Sequence, residues 1–578
     1  MTSVSVRIAG ANGDGVDSSG ALLIKIAGRN GLNAFGYRGY QSIIRGGHVW
    51  YQIRIGDEKL YGHGDKIDIL IALNQDAINN QKSHLTPEAF VIYDNTKVNV
   101  DSLKNSTYKL LGIPLLDIAV SKSGDPIMRN TVAIGAAIKL LGIPFSAFEL
   151  VVKSMFGRKG EKVVKNNIDA ASAGFNAQGV NVFYTLKGDG KVRYSMDGNT
   201  ALSIAAYTSG CKFYSAYPMT PASGILHWFA AHDNKGVLFK QTEDEIAAIN
   251  MAIGASYAGV RSMCGTSGGG FSLMVEALGF AGMIETPLVV VESQRTGPST
   301  GLPTKTEQAD LLFVMHASQG EYPKIVVAPR DMNECFTITT EAFNLADKYQ
   351  CPVIILMDLF ISEHVETLEN FDTDSVVINR GKLTVSNTNT GRFKRYEFSD
   401  DGVSTRAIPG TAGTEFIAPT DEHDEYGDLV SDALSGLDEY VEIRVKMHEK
   451  RMRKLDTMLK NEPYFVPKIE NPEASYFFVT FGSTTEAVRE AIQILKERNL
   501  NFGLISFNYI MPLDKEKTLS ILKGKKLLDV ECNYTAQLAQ VIMMNTGIDI
   551  KEKILKYDGE AITGNEIADK AEKIYTKL

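Results

Sequence analysis

The chain has 578 residues, which is more than one hydrophobic core usually organises, so we expect several domains. Its 44% hydrophobic and 22% charged residues are typical of a globular protein, and a formal net charge of −9 argues against nucleic acid as the main partner. No apolar run is long enough to span a membrane, and the N-terminus indicates a strand and not a secretion signal, so we expect a cytoplasmic protein. None of the five cysteines lies in C-x-x-C spacing, which favours small buried side chains over disulfides, a zinc site or an iron–sulfur cluster within this chain.

Residues 1–184 form the first predicted domain, in which strands alternate with helices. The strand "SVSVRIAG" leads through a glycine turn into the helix of "ANGDGVDSSGALLIKIAGRNG". Further strands are "VWYQIRIG", "IDILIALN" and "FVIYDN", and further helices are "TVAIGAAIKLLG" and "FELVVKSMF". This alternation predicts a mostly parallel sheet with helices on its faces. Residues 185–197 are rich in glycine and charge, which predicts a linker.

The same alternation predicts two more α/β units. Residues 198–365 contain the strands "CKFYSAYP", "GVLFKQT", "VRSMCGTS", "PLVVVES", "PKIVVAP" and "PVIILMD" between helices. Residues 471–578 begin with the strand "SYFFVTFGS" and the helix "TTEAVREAIQILKERN" and continue with the strands "NFGLISFNYIMPLD" and "KKLLDVECN". Between these units, residues 366–470 are polar and turn-rich and end in a long charged helix, whose basic residues we expect on a solvated face. The predicted fold class is therefore α/β with three α/β units.

Two glycine motifs in the first domain are candidate anion sites. "GANGDG", residues 10–15, follows a strand and opens a helix, where backbone N–H groups can bind a phosphate. Its spacing is not the G-x-G-x-x-G of dinucleotide sites, so a tight strand-to-helix turn is the alternative. Arg45, Gly46 and Gly47 stand just before the strand "VWYQIRIG". They either let an anionic ligand approach closely or form a turn with a solvated arginine.

A proline-bracketed turn, "YPMTPAS", lies between a strand and a helix of the second domain. Pro218 and Pro221 enclose Thr220, and each proline restricts its own φ and the residue before it. The turn therefore presents one side chain in one direction. That property suits a binding site, and it equally suits a plain strand-to-helix connection.

Three consecutive acids, Glu243, Asp244 and Glu245, occupy the next strand-to-helix turn. Capping and the helix dipole favour acids at a helix start, which explains two of the three. Glu245 also opens a helix of small apolar residues, "EIAAINMAIGASYAG", so its carboxyl would be partly desolvated and its pKa raised. A carboxyl with a raised pKa is what proton-relay chemistry needs.

Two later turns of this domain are also suited to ligands. "GTSGGGFSLM" is glycine-rich and precedes a helix, so it could bind an anion or bring backbone close to a cofactor. Arg295 stands at the carboxyl end of the strand "PLVVVES", where open α/β sheets bind ligands. An arginine there could hold a carboxylate through two parallel hydrogen bonds, and a surface arginine is the alternative.

In this order, "YPMTPAS", "TEDEIAA", "GTSGGG" and "SQRTGPSTGLPTKTEQAD" resemble the α subunit of the 2-oxoacid:ferredoxin oxidoreductases. The N-terminal "GDGV…RGGHVWYQIRI" resembles the γ part of that family, fused ahead of α. "RAIPG…EHDEYG" and the C-terminal unit match the same layout, so the resemblance covers essentially the whole chain. It implies, in chain order, a γ-type domain, a thiamine diphosphate pyrimidine-binding-type domain and a transketolase C-terminal-like domain.

The resemblance implies CoA-dependent oxidative decarboxylation of a 2-oxoacid, with thiamine diphosphate as cofactor and ferredoxin as electron acceptor. Thr220 then matches the threonine that meets the oxoacid, and Arg295 matches the arginine that binds the substrate carboxylate. Tyr217 and Pro218 would stand beside the cofactor. Because the family's γ part is associated with CoA, the loop of Arg45, Gly46 and Gly47 is the candidate on the CoA side.

Glu245 is the candidate for the family's glutamate that bonds N1′ of the thiamine aminopyrimidine. Gly254, nine residues on, gives the small-residue spacing of related thiamine enzymes. Glu243 is the rival because it follows "QT", but its register differs by two residues. The bond from Glu245 would favour the imino tautomer of the ring, and the cofactor would then serve as electron sink.

Two motifs of the complete enzyme are missing. The thiamine diphosphate/Mg²⁺ motif is GDG followed by paired asparagines, and "GDG" occurs at 13–15 and 188–190 without them. Cluster-binding cysteines are missing too. The resemblance therefore implies a separate β subunit that holds Mg²⁺, much of the thiamine diphosphate and a [4Fe–4S] cluster, and no metal site in this chain. The expected assembly is an αβ heterodimer or its dimer.

Two other functions stay open at this point. One is a non-catalytic assembly or regulatory subunit of such a complex, which intact Thr220, Glu245 and Arg295 oppose. The other is a transketolase-like or NAD-dependent enzyme acting alone, which the missing metal motif and the missing dinucleotide fingerprint oppose. Pyruvate, 2-oxoglutarate and broad specificity all remain open as substrates, because part of the pocket would belong to the other subunit.

Overall fold

The computed structural model describes residues 3–41, 46–104, 106–386 and 391–576. The chain divides into two compact units. The first consists of Met1–Asp197, His364–Asn370 and Thr563–Asn565, and the second of Gly198–Glu363, Phe371–Ile562 and Glu566–Leu578. The finer boundaries of three domains stay predictions.

The elements follow one another along the chain with few long interruptions. Up to the end of the first predicted linker they are β1 (Ser3–Asn12), α1 (Val16–Arg29), β2 (Asn33–Gly39), β3 (Gly46–Gly56), β4 (Ile67–Ala72), α2 (Gln75–Gln81), β5 (Leu85–Asp94), β6 (Lys109–Ile113), α3 (Leu115–Ser123), α4 (Arg129–Leu140), α5 (Phe145–Phe156), α6 (Glu161–Phe175) and β7 (Tyr194–Asp197). Next come α7 (Gly198–Thr208), β8 (Cys211–Ala216), α8 (Ser223–Ala231), β9 (Leu238–Gln241), α9 (Glu245–Tyr257), β10 (Arg261–Thr266), α10 (Gly268–Met283), β11 (Leu288–Gln294), α11 (Leu311–Met315), β12 (Ile325–Val327), α12 (Met332–Tyr349), β13 (Pro352–Asp358), α13 (Leu359–Glu363) and β14 (Val365–Leu368). The remainder is β15 (Leu383–Thr384), β16 (Arg406–Ala407), α14 (Asp432–Ser435), α15 (Leu437–Asn461), β17 (Lys468–Glu470), β18 (Tyr476–Phe481), α16 (Thr484–Glu497), β19 (Phe502–Phe507), β20 (Tyr509–Met511), α17 (Lys515–Leu522), β21 (Lys526–Glu531), α18 (Gln537–Thr546), β22 (Glu552–Leu555) and α19 (Gly564–Tyr575). Short 3-10 helices cover Lys82–His84, Asp101–Leu103, Pro126–Met128, Gly157–Lys159 and Asp233–Lys235.

The first unit is built on a mixed sheet with the strand order β6-β5-β4-β1-β3-β2-β14-β7. β1, β4, β5 and β6 pair in parallel, as the alternation of strands and helices predicts. β3, however, lies antiparallel to both β1 and β2, so the prediction of a mostly parallel sheet is wrong for this half. For β2 and β3 the reason is connection length, because the few residues between Gly39 and Gly46 cannot form the crossover that parallel neighbours need.

The predicted linker at residues 185–197 is packed against the first unit and ends in a strand. β7, Tyr194–Asp197, pairs antiparallel with β14. The Arg193 backbone N–H donates to the carbonyl oxygen of Gly28 at 2.9 Å, and Arg193 Nη1 donates to that of Gly31 at 2.7 Å. A Cβ on Gly188 would clash with the carbonyl of Asn30. Glycine and charge here reflect close packing and not a flexible connection.

The second unit contains a central sheet with the strand order β20-β12-β13-β11-β10-β8-β9. From β12 to β9 the neighbours pair in parallel. β11 and β13 are buried along their whole length, as expected for near-continuous apolar strands covered on both faces. The predicted α/β class is confirmed.

A second sheet of this unit, with the order β17-β19-β18-β21-β22, is formed by the C-terminal part of the chain. β19 and β20 follow one another in sequence but belong to different sheets, since β20 pairs antiparallel with β12 at the edge of the central sheet. One apolar core includes side chains from both sheets, among them Val290, Ile354, Val479 and Ile505. The two sheets are therefore joined by backbone pairing and by a shared core.

Two expectations from the sequence concern membrane-spanning helices and the burial of the cysteines. No helix in the described ranges combines the length and the apolar character that crossing a membrane requires. All five cysteines are buried, and none of them forms a disulfide bond within the described residues. Burial raises the pKa of the Cys264 thiol, which makes it a packing side chain and a poor nucleophile.

Three basic residues of the long charged helix α15 contradict the expectation of a solvated basic face, whereas Arg444, Lys446 and Lys460 are exposed as expected. Lys450, Arg451 and Lys454 are almost completely buried. Lys450 and Lys454 each form an ion pair with the buried carboxylate of Glu285 at 2.7 Å. Burial alone would raise the pKa of Glu285, but the two lysines outweigh it and hold the pKa well below its usual range. The buried side of α15 therefore anchors the helix through ion pairs to Glu285, which lies between α10 and β11.

We expect Glu285→Gln to lower the free energy of unfolding of the second unit by about 3–5 kcal/mol, because two buried lysines lose their counter-charge. Urea unfolding followed by circular dichroism measures the change. Glu321→Gln is the matched control, since the Glu321 side chain is 79% exposed and pairs with His448 at 3.5 Å. It should cost less than about 1 kcal/mol. Equal effects of the two substitutions would contradict the anchoring role of Glu285.

Candidate active site

Strands of the central sheet end at one edge, and each predicted motif follows one of them. The proline-bracketed turn follows β8, Glu245 opens α9 after β9, the glycine-rich turn follows β10, and Arg295 follows β11. β8 pairs in parallel with β9 and β10, and β10 with β11. Because the carboxyl ends of parallel strands meet at one edge of a sheet, the motifs come together where open α/β sheets bind ligands.

Glu245 is a buried carboxyl with one oxygen that no described residue bonds. The side chain is 4% exposed, and Oε1 has no hydrogen-bond partner among the described residues. The capping function of this acidic turn belongs to Asp244, which accepts a hydrogen bond from the Ala247 N–H at 2.8 Å. Burial raises the pKa of Glu245, and the charge of Asp244 adds to the rise. Glu243, its rival, is exposed to solvent.

Gly270 and Thr266 form the immediate surroundings of this carboxyl. A Cβ on Gly270 would clash with the Thr266 hydroxyl and with the Glu245 carboxyl, so only glycine lets α10 come this close. The Thr266 hydroxyl in turn contacts the Met219 sulfur at 3.9 Å. Met219 of the proline-bracketed turn and Glu245 thus share Thr266 as a neighbour.

Arg295 is bound to the proline-bracketed turn. Its Nη1 donates a hydrogen bond to the backbone carbonyl oxygen of Thr220 at 2.8 Å. Arg295, Thr220 and Pro218 are half-buried, and Tyr217 is 40% exposed. Since a guanidinium has five N–H donors, the bond to Thr220 leaves donors for a carboxylate. The structure therefore brings Arg295 and Thr220 together at the same sheet edge as Glu245.

Two further acids near this edge were missed by the sequence analysis. The Asp310 carboxyl lies against Gly268 at the start of α10, and burial followed by the charge of Glu307 raises its pKa to about 6. Glu292 of β11 is fully buried, and neither carboxyl oxygen has a hydrogen-bond partner in the described parts of the chain. Burial also raises the pKa of Glu292 well above its usual range. Nothing in the sequence separates these acids from surface acids, because their burial depends on elements distant in sequence.

The two glycine motifs of the first unit lie next to each other. β1 and β3 pair Asn12 with Gly46, so the start of β3 stands beside the "GANGDG" turn. Asn12 lines a cavity of about 630 Å³ whose wall also includes Gly13, Gly15 and Arg38. Arg45 lies outside the described residues, and Gly46 and Gly47 have positive φ angles of 80° and 70°. Their backbone conformation explains the two glycines.

Asp14, the middle residue of the first "GDG", has a structural role. Its carboxyl accepts a hydrogen bond from the Ala11 N–H at 2.9 Å and pairs with Arg129 at 2.8 Å. The Asn130 side chain donates to the Asp14 carbonyl oxygen at 2.6 Å. The aspartate thus closes the turn, and the backbone between Asn12 and Gly15 faces the cavity.

Family models match most of the chain. The model described as pyruvate flavodoxin/ferredoxin oxidoreductase, thiamine diphosphate-binding, matches residues 204–442. The model described as pyruvate ferredoxin/flavodoxin oxidoreductase matches residues 5–177.

Similar proteins cover the whole length. The chain is 33% identical to the 2-oxoacid:ferredoxin oxidoreductase subunit alpha of Saccharolobus solfataricus, across 99% of this chain and 98% of that protein. It is 30% identical to the 2-oxoglutarate oxidoreductase subunit KorA of Mycobacterium tuberculosis, across 98% of this chain and 91% of that protein. The solved 2-oxoglutarate:ferredoxin oxidoreductase from Magnetococcus marinus, with 2-oxoglutarate, coenzyme A and succinyl-CoA bound, superimposes with a TM-score of 0.90 at 32% identity and 99% coverage of both chains.

The surroundings of Glu245 predict that Glu245→Gln stabilises the isolated chain. The folded-state pKa of Glu245 is raised, so the ionised form is disfavoured by folding, and wild-type stability falls as the pH rises through that pKa. At neutral pH the amide should raise the free energy of unfolding by about 1 kcal/mol. The gain should vanish as the pH approaches about 4, where both the folded and the unfolded carboxyl hold the proton. Urea unfolding at a series of pH values measures it.

The exposed Glu243 supplies the matched control. Glu243→Gln should leave the unfolding free energy unchanged at every pH, because its carboxyl stays in water in both states. A loss of stability in Glu245→Gln at neutral pH would show that the Glu245 carboxylate is favourably bound within the chain.

Proposed function

Because the chain belongs to the 2-oxoacid:ferredoxin oxidoreductase family, as an alpha subunit with the γ-type part fused ahead of it, we propose that it forms half of a CoA-dependent active site. The other half belongs to a separate β subunit. Together they convert a 2-oxoacid and CoA to an acyl-CoA and CO₂ and pass the electrons to ferredoxin. The observation that carries the proposal is the buried Glu245 carboxyl, whose free oxygen shares a sheet edge with Arg295 and Thr220.

The surroundings of Glu245 fit the aminopyrimidine of thiamine diphosphate. An Oε1 atom without a hydrogen-bond partner among the described residues leaves a buried group that can bond the ring nitrogen. When bound, thiamine diphosphate supplies the electron sink for the carbanion that decarboxylation produces. Glu245 holds and exchanges the proton at N1′, and its raised pKa favours the protonated carboxyl that this role needs.

Arg295 and Thr220 bind and orient the 2-oxoacid in this proposal. The guanidinium donates two parallel hydrogen bonds to the substrate carboxylate. Its bond to the Thr220 carbonyl oxygen fixes the distance between the arginine and the Thr220 side chain. Thr220 then donates to the oxoacid, with Tyr217 and Pro218 beside the cofactor. Each of these residues acts by position, which is why the proline-bracketed turn has to be rigid.

A β subunit completes the site over the exposed faces of α9 and α10. These faces carry Ile246, Met251 and Leu273 at 39–49% exposure, next to Gly254 and Gly269, around which a Cβ would meet open space. Apolar and glycine surface of this kind is suited to close contact with a partner. In the proposal that partner holds Mg²⁺, the diphosphate and a [4Fe–4S] cluster, and the assembly is an αβ heterodimer or its dimer.

The cavity of the first unit is the proposed CoA side. Its wall combines backbone N–H groups at the start of α1 with the Arg38 guanidinium, which suits a phosphate. Gly46 pairs with Asn12, which lines the cavity, and its sequence neighbours Arg45 and Gly47 are assigned to the same side in this proposal. CoA bound in the Magnetococcus marinus enzyme supports CoA as the ligand class. For the oxoacid, 2-oxoglutarate and pyruvate are the first candidates.

We predict that the chain, purified with its β subunit, reduces methyl viologen when CoA and one of these 2-oxoacids are added. Glu245→Gln should lower kcat about 100-fold or more, because the amide cannot exchange the N1′ proton. Glu243→Gln should retain wild-type turnover. If no oxoacid drives reduction although cofactor and cluster are bound, the chain is a non-catalytic subunit of such a complex. Thiamine diphosphate retained by the chain alone would contradict the shared site.

Arg295→Ala should raise KM for the 2-oxoacid about 10- to 100-fold, the value of a charged hydrogen-bonded pair. The KM for CoA should stay within about twofold of wild type, since the CoA side is built from other residues. Steady-state kinetics with each substrate varied separately measures both. An unchanged KM for the oxoacid would remove Arg295 from substrate binding.

A further inference from the structure

The C-terminal part of the chain contributes none of the candidate site residues, yet it contacts the loop that carries Arg295. We propose that Gln308 is a positioning residue that fastens the loop Arg295–Glu307 to the C-terminal sheet and so sets the place of the Arg295 guanidinium. The inference rests on the proposed function of Arg295 as the carboxylate ligand. Its physical part, the attachment of the loop, stands on hydrogen bonds within the second unit.

The loop is closed on itself at its base. The Thr296 N–H donates to the Lys305 carbonyl oxygen at 3.0 Å, and the Thr296 hydroxyl donates to that of Thr306 at 3.2 Å. The Gly297 N–H donates to the Glu307 carboxyl at 3.2 Å. These bonds tie the two ends of the segment 295–307 to each other. Its position is therefore decided by what holds its two ends.

Buried glutamines flank the loop on both sides, and each is 1% exposed. Gln294 precedes the loop and ends β11. Its side chain accepts from the Asp310 N–H at 2.9 Å and donates to the Met357 carbonyl oxygen at 3.0 Å. The bond between Asp310 and Gln294 therefore connects the start of the loop with the residues just after its end. Gln308 is the first residue after that end.

Gln308 is bonded through its side chain and its backbone. Nε2 donates to the Asp358 carboxylate at 2.9 Å, and Oε1 accepts from the Thr484 hydroxyl at 2.7 Å. Its backbone N–H donates to the Cys532 carbonyl oxygen at 2.7 Å, and its carbonyl oxygen accepts from the Asn533 side chain at 3.0 Å. Asp358 ends β13 of the central sheet, whereas the other three partners belong to the C-terminal part. Gln308 therefore bridges the two sheets.

Neighbouring contacts bind the same segment to the same C-terminal elements. The Thr306 N–H donates to the Gly559 carbonyl oxygen at 3.1 Å, and Lys305 forms an ion pair with Glu560. The Gln537 side chain donates to the Ala309 carbonyl oxygen at 2.6 Å. The Arg295 loop thus contacts the C-terminal part on both sides of Gln308. Gln308 is the buried centre of this attachment.

The chemistry of Gln308 explains why an amide is required. Its nitrogen faces a carboxylate and its oxygen faces a hydroxyl donor, so both ends are satisfied without a second charge. Asp358 is held in place by the Ser483 hydroxyl at 2.6 Å and by the Ile361 N–H at 3.0 Å. A carboxylate in place of the Gln308 amide would repel Asp358 in a buried site. The loop would then leave its position, and Arg295 with it.

The test uses Gln308→Glu in the complex of this chain with its β subunit. We expect KM for the 2-oxoacid to rise about tenfold, with kcat and the KM for CoA within about twofold, since a displaced arginine weakens substrate binding. The double variant Gln308→Glu/Asp358→Asn exchanges donor and acceptor across the same contact and should restore KM to within about threefold of wild type. Gln319→Glu is the control, because Gln319 is exposed, and it should behave as wild type.

A second readout does not depend on activity. Hydrogen exchange of the peptide covering 295–310 should become at least about tenfold faster in Gln308→Glu and return in the double variant, while peptides from β11 and β13 keep their protection. In the Arg295→Ala background, Gln308→Glu should add less than about twofold to KM, because both changes act through one guanidinium. An additive effect in that background, or unchanged exchange of the loop, would overturn the proposal. If the wild-type complex turns over no 2-oxoacid but loop exchange is still faster in Gln308→Glu, the proposed function is overturned and the attachment stands.

Discussion

Glu245 keeps its carboxyl out of water at the carboxyl edge of a parallel sheet, with one oxygen that no described residue bonds. Leaving a buried polar atom unbonded costs free energy, so the surrounding fold has to hold it in place. Glu245 is the first residue of α9, where the helix dipole favours a negative charge, and Asp244 takes over the capping bond. Gly270 removes the side chain that would otherwise displace the carboxyl. The parallel strands bring these three contributions to one place.

Glu245 and Glu285 show that burial alone does not decide the charge of a carboxyl. Glu285 is buried between Lys450 and Lys454, and its pKa is lowered because two cations outweigh desolvation. No described residue places a cation beside Glu245 to offset burial, and desolvation raises its pKa. One buried glutamate is thereby fixed in its ionised form as an anchor, and the other is free to change protonation. Opposite pKa shifts of two buried glutamates thus distinguish the structural role of Glu285 from the chemical role proposed for Glu245.

The sequence predicts the parts of the structure that depend on local pattern. Alternating strands and helices gave the parallel core of both units, and Glu245 was singled out because it opens an apolar helix. The burial of Lys450 and Lys454 could not be predicted, because it depends on an acid more than 150 residues away, as the separation of 165 for the Lys450–Glu285 contact shows. The antiparallel position of β3 was missed because an alternating pattern carries no strand direction. The roles of Thr220 and Arg295 came from a resemblance and not from local physics.

The route of the chain between β19 and β20 explains how the C-terminal part can hold the elements of the candidate site although it contributes no residue to that site. β20 leaves the C-terminal sheet and pairs with β12, so the edge of the central sheet is fixed by C-terminal backbone. Gln308 connects the same two sheets at a second place, beside the loop of Arg295. The two sheets are therefore held together at two separate points. The contacts of Gln308 that hold the Arg295 loop lie within this chain, which is the pre-organisation that the proposed half-site needs.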